Sequence, residues 1–109
     1  MIYKVEISDQ ADSDLRGIFE YITFELQSIE NASVQLSRLE KSILSLDRMP
    51  ERYQIYDKEP WQSRGLRVLP VDHYIVLYVV DHDDQIVTIL RIMYVRRDRD
   101  YQLNLNTKY

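Results

Sequence analysis

Apolar and polar residues alternate at the start of the chain: Tyr3, Val5 and Ile7 are separated by Lys4, Glu6 and Ser8, the period of a half-buried strand. The period then lengthens. Ala11, Leu15, Ile18, Phe19, Ile22 and Leu26 recur at helical spacing and predict an amphipathic helix, capped by Ser8 or Asp9 and carrying Asp9 and Asp12 in its first turn, where the helix dipole favours carboxylates. Gly17 weakens this helix by about 1 kcal/mol relative to alanine, a cost that close approach of a neighbour would offset. Gln27 to Asn31 break the pattern, with Asn31 as the expected second cap. Ala32, Leu36, Leu39, Ile43 and Leu46 restore the stripe up to Met49-Pro50.

Three strand-like runs follow an irregular segment from Tyr53 to Trp61. Leu66 to Val71 holds Arg67 among apolar neighbours, with Pro70 near the Asp72-His73 turn where a strand can spare a donor. Tyr74 to Asp81 is almost wholly β-branched or aromatic, so both of its faces should be buried, with Ile75 and Leu77 opposite Val76 and Tyr78. Gln85 to Val95 follows the His82-Asp83-Asp84 turn and ends in Arg96-Arg97-Asp98-Arg99-Asp100. The pattern predicts an α+β fold: a helical hairpin packed on a four-stranded, mainly antiparallel sheet in the order β-α-α-β-β-β. Residues 1–100 form one domain in this reading, and residues 101–109 a polar C-terminal tail that is disordered, or a strand or helix ordered by a partner.

Composition narrows the chemistry. The 109 residues contain no cysteine, which removes disulfides and thiolate metal sites and suits a reducing cytoplasm. Met1 to Lys4 open a strand instead of an export leader, and no apolar run approaches the roughly 20 residues that a bilayer demands, so a cytoplasmic protein is expected. A net charge of −4 argues against a general nucleic-acid binder, although the arginines gather at strand ends while the acidic excess lies before Arg48. The two histidines, His73 and His82, fall in turns and offer no metal-binding pair, and two glycines in all exclude a phosphate-cradling loop.

Arginine and tyrosine remain. Metal-free RNA cleavage requires a cation for the charged phosphorane and groups that move protons. Arg67 and Arg97 qualify for the first role, and His73, Tyr94 or Asp98 for the second. The plainer alternative pairs Arg67 with a nearby carboxylate and Arg97 with Asp98 or Asp100. Tyr53, Tyr56 and Trp61 either form a recognition surface or cover the open end of the sheet.

The Ala11 to Ile22 segment, the helix ending at Met49-Pro50, Arg67 with Leu69-Pro70-Val71, Tyr78 and Arg97-Asp98 occur in an order that resembles the RelE/ParE superfamily of bacterial toxin–antitoxin toxins, closer to ParE than to RelE. Two departures point away from RelE. Tyr74 is followed by Ile75 where RelE-type ribonucleases carry an arginine, and only Lys58 stands in the region of RelE's lysine run. The resemblance implies a ParE-like toxin that inhibits DNA gyrase and is neutralised by a cognate antitoxin, meeting operator DNA only through that antitoxin. It implies no cofactor, metal or membrane. Target contacts would come from Arg96, Arg97, Arg99, Tyr53, Tyr56 and Trp61. The alternatives are a RelE-like ribosome-dependent mRNA endonuclease using Arg67, Arg97, Tyr94 and Asp98, and a non-toxic member acting as co-repressor.

Overall fold

The computed structural model describes residues 2–96 and 99–107. Strand β1 (Lys4–Ile7) leads into helix α1 (Asp9–Glu20), a π-helical turn (Tyr21–Glu25) and helix α2 (Ile29–Leu44). After two short 3-10 turns come β2 (Gln54–Ile55), β3 (Arg67–Val71), β4 (Tyr74–Asp81), β5 (Ile86–Tyr94) and helix α3 (Arg99–Asn106). Among the described residues the sheet has five strands in the order β1-β5-β4-β3-β2. This corrects the expected four: the two-residue β2, too short to show a period, pairs with β3 at the edge. The sheet is mixed, because β1 lies parallel to β5, with Lys4 opposite Ile86 and Ile7 opposite Ile89, whereas the other pairings are antiparallel.

Ser8 caps α1 by accepting from the Ala11 amide. The cap of α2 is Ser28, which accepts from the Asn31 amide; the expected cap Asn31 is the donor instead, since the helix begins two residues earlier than that reading placed it. Ala11, Leu15, Leu39, Ile43 and Leu46 pack on Val76, Tyr78, Val87 and Ile89, so both helical stripes meet one face of the sheet. Leu26 breaks the α1 stripe: the π turn shifts the phase and leaves it 58% exposed. Nothing lies within 4 Å of a Cβ built on Gly17, so no close approach explains that glycine.

The second face is also covered. Ile75, Leu77, Val79, Leu90 and Met93 point away from the hairpin and pack against Tyr56, Trp61, Leu66 and Leu103. β4 therefore is central and buried on both faces, as its composition requires. Leu103 of α3 is fully buried, so the C-terminal segment docks on this face within the isolated chain. Trp61 Nε1 donates to Asn104 Oδ1 at 3.0 Å, and Asp100 accepts from the Tyr56 hydroxyl and from Lys58 Nζ. Among the described residues, no helix is long and apolar enough to cross a membrane.

Candidate functional site

Strands β3, β4 and β5 define two ends of the sheet, and the arginine-rich end is built around the β3–β4 turn. Asp72 takes a positive φ of 56° in this two-residue turn, a conformation that Asp tolerates better than most residues. Helix α2 holds the turn: Arg38 Nε and Nη2 donate to the two Asp72 carboxylate oxygens at 2.7 and 2.8 Å, and Gln35 adds a third bond at 3.2 Å. Hydrogen bonding from Arg38, then Gln35, lowers the Asp72 pKa from the usual carboxylate value. The Val95 amide donates to the His73 carbonyl at 2.8 Å, fixing the outgoing end of β5 beside the turn.

Directly above the turn, Tyr74 and Tyr94 are cross-strand partners with ring centroids 5.8 Å apart in an edge-to-face arrangement. Burial raises the Tyr74 phenol pKa, and Tyr94 and Tyr21 add to the effect. Tyr21 belongs to the π turn, so the tip of the helical hairpin reaches this same end of the sheet. His73, Tyr94, Val95 and Arg96 are exposed there. Arg97 and Asp98 lie outside the described residues, and Arg99 opens α3. The result is a rim of tyrosines and cations over an anchored turn. It can make surface contacts; it brings together no general acid–base pair among the described residues.

Arg67 sits elsewhere. It is opposite Tyr78, four residues along β4 from Tyr74, and two strands across from β5. Strand geometry puts its Cα roughly 16 Å from that of Tyr94. Its guanidinium turns away from that rim: Nη1 donates to the carbonyls of Tyr53 at 2.7 Å and Glu51 at 3.1 Å, and Nη2 faces the Glu51 carboxylate at 3.5 Å. Glu51 also meets His82 Nε2 at 3.1 Å, and His82 Nδ1 meets the Tyr3 hydroxyl at 3.1 Å. The Tyr78 hydroxyl donates to the Pro50 carbonyl at 2.5 Å, and burial pushes its pKa up to about 12. Arg67 is thus spent on a clasp that holds the 50–53 loop to the sheet, the plainer of its two expected roles.

The aromatic trio divides. Tyr56 and Trp61 are 4% and 3% exposed and lie beneath α3, so in this structure they cover the sheet and present no contact surface. Tyr53 stays half-buried beside a groove of about 340 Å³ along the β2 edge, with Ile55, Val68 and Pro70, and with Arg52 stacked 4.8 Å from its ring centre. Apolar periodicity did not distinguish these fates, because it says nothing about a further helix docking on the far face.

One pair escaped the sequence reading altogether. Arg91, in the middle of β5, is 7% exposed and donates from Nε and Nη2 to Asp14 of α1 at 2.8 and 3.0 Å. Asp14 Oδ2 also accepts from the Ile92 amide at 2.9 Å, and Arg91 Nη1 donates to Thr107 at 3.1 Å. β1 stops opposite Ile89, and Ser8 Oγ donates to the Leu90 carbonyl at 3.0 Å. Side chains from the start of α1 therefore satisfy the edge of β5 where strand pairing ends. The available signal was a lone arginine in an otherwise apolar strand, which demands a buried partner.

Against these features, the family model for the ParE toxin of the type II toxin–antitoxin system parDE matches residues 5–99. The chain belongs to that ParE toxin family, within the RelE/ParE superfamily. Solved structures agree on the fold. A chain of the chromosomal ParDE system of Pseudomonas aeruginosa superposes with a TM-score of 0.71 at 19% identity, covering 87% of this chain and 98% of that one. The RelBE2 toxin–antitoxin complex of Mycobacterium tuberculosis gives 0.62 at 21%, covering 86% and 99%. Escherichia coli RelE in the free state, solved as a mutant with two arginines replaced by alanine, gives 0.64 at 13%, covering 94% and 93%. No curated protein sequence matches the chain.

Proposed function

We propose that this member of the ParE family is the toxin of a toxin–antitoxin pair, that it acts by binding DNA gyrase through surface contacts, and that a cognate antitoxin neutralises it. The observation that carries the reading against RNA cleavage is the state of Arg67. A nuclease arginine must be free to meet a phosphate, yet this guanidinium is committed to two carbonyls and a carboxylate about 16 Å from the tyrosine rim. Ile75, which stands where RelE-type enzymes place an arginine, is 2% exposed and packs in the core beneath α3. In this reading the working surface is the rim at the end of β5: Tyr94, Arg96, Arg97 and Arg99, seated on the Arg38–Asp72 anchor. Partners that are complexed with the toxin in solved relatives, RelBE2 and an archaeal RelE–RelB complex among them, support the antitoxin half of the proposal.

Purified protein is expected to inhibit gyrase-dependent supercoiling, or to trap gyrase on cleaved DNA, and to leave mRNA on translating ribosomes intact. Codon-positioned mRNA cleavage with gyrase unaffected would overturn the proposal.

A further inference from the structure

The tip of the helical hairpin is unlike the rest of the surface. Tyr21, Phe24, Leu26 and Ile29 are 55%, 71%, 58% and 65% exposed, four large apolar side chains within nine consecutive residues. Together they leave on the order of 450 Å² of apolar surface open, the upper range of what a monomer carries in one patch. Between Arg16 and Arg38 the chain has no Lys or Arg, whereas Glu20, Glu25 and Glu30 all lie there and are exposed. The π turn also holds Thr23, whose buried Oγ1 has no hydrogen-bond partner among the described residues. Buried hydroxyls are normally satisfied, so this segment's surroundings are incomplete in the isolated chain.

The patch continues down the hairpin. A groove of about 310 Å³ runs between α1 and α2, floored by Leu15, Phe19 and Leu36 and edged by Glu20 and Glu40. Arg16 at its side is already engaged by Asp12. Phe24 lies one turn beyond Glu20, and Ile29 two α-turns before Leu36, so the exposed tip residues extend the groove floor. Floor and edges together make an apolar strip with acidic margins.

Charge decides what can lie on it. Nucleic acid would bring phosphates against carboxylates, and a second copy would set glutamates against glutamates. A protein helix with a row of large apolar residues flanked by Lys or Arg satisfies both floor and margins. A surface this apolar must be covered for most of the protein's lifetime, which suits a partner that stays bound better than a target met only on release. We propose that the outer strip of the hairpin seats a basic amphipathic helix of the cognate antitoxin, and that Glu20 and Glu40 select that helix by charge. The inference rests on the toxin–antitoxin reading above.

The test uses the full chain and the product of the small reading frame adjacent to its gene. Hydrogen–deuterium exchange of the purified complex should show protection over residues 19–36, from a partner segment rich in Lys or Arg. Calorimetric titration should show at least tenfold weaker binding for Glu20→Lys/Glu40→Lys and for Phe24→Ser, each folded by circular dichroism. Lys→Glu or Arg→Glu changes in the partner helix should restore binding to the charge-reversed variant only. Protection confined to the sheet, affinities within twofold of wild type, or an acidic partner helix would overturn the inference while leaving the toxin–antitoxin reading intact. A dimer of the chain alone that Phe24→Ser abolishes would overturn it in favour of self-association. If the adjacent product forms no complex, both the inference and the reading beneath it fall.

Discussion

Replacing Asp14 by alanine should be among the most damaging single changes in this protein, although the residue lies on a surface helix and touches no proposed target. The substitution removes two charge-assisted bonds to Arg91 and the acceptor of the Ile92 amide. Arg91 has a side chain only 9% exposed, so its guanidinium would be left inside the protein with the neutral Thr107 hydroxyl in place of a carboxylate. Orphaning one member of a buried ion pair costs about 3–5 kcal/mol, and the stranded Ile92 amide accounts for roughly 1–3 of desolvation within the same event. A domain of this size has about 5–15 kcal/mol in all, so Asp14→Ala should shift the urea midpoint substantially and lower the melting temperature by more than about 10 °C. The double variant Asp14→Leu/Arg91→Met should recover most of the loss, because replacing both charges by apolar groups removes the uncompensated ion. Equilibrium urea unfolding of wild type, the two single variants and the double variant completes a double-mutant cycle. A loss below about 1 kcal/mol in Asp14→Ala, or a double variant as unstable as the single, would show that the pair does not carry the edge of β5.

Gly17→Ala should stabilise the domain by about 0.5–1 kcal/mol, because open space surrounds a Cβ at that site and the change only reduces backbone freedom; destabilisation in a thermal melt would contradict the packing described. Leu39→Ala should cost roughly 2–5 kcal/mol and Glu40→Ala almost nothing in denaturant melts, since Leu39 is fully buried and Glu40 lies on the wet side. Tyr78 has a folded-state pKa raised to about 12, so its contribution is complete below the unfolded value near pH 10 and disappears as pH rises through 12. Two units correspond to about 2–3 kcal/mol, and wild type should lose that much more stability than Tyr78→Phe between pH 9 and 12. Arg96→Glu/Arg97→Glu should abolish growth inhibition with an unchanged melting temperature, because exposed substitutions move stability by less than about 0.5 kcal/mol; full toxicity in the folded variant would relocate the working surface.

The elements that dominate the fold were legible because burial imposes a period. β4 reads as central from Ile75 to Val79 alone, and both helical stripes could be assigned to one core. What escaped obeys other rules. β2 has two residues and no period, and the shift at Leu26 comes from a π turn whose extra residue leaves no compositional trace. Tyr56 and Trp61 could not be told from a recognition surface, because their cover is a helix that begins far along the chain at Arg99 and bears a polar sequence. The candidate site was half visible: the arginines at the end of β5 announce themselves, but the anchor of the turn, Arg38 with Asp72, is a pairing across 34 residues between two ordinary surface residues. Arg67 shows the opposite failure. Its residue type suggested chemistry, and only its hydrogen bonds reveal a clasp.

The parallel pairing of β1 with β5 has a consequence for the order in which the molecule is completed. The first strand to be synthesised finds its neighbour only in the last strand, and the Asp14 carboxylate of the first helix waits for Arg91 and Ile92 of that same strand. Contacts of such long sequence separation form late, after the loop between them has been closed. A nascent chain that has passed the hairpin and even β4 therefore still lacks the pairing that fixes its amino terminus, and the tyrosine rim does not exist before Tyr94 has been added. Prematurely terminated products are harmless by construction. The interval between emergence of the hairpin and arrival of β5 is also one in which the exposed apolar tip is already present while the rim is not, so a waiting partner would meet this protein before the protein is capable of meeting anything else.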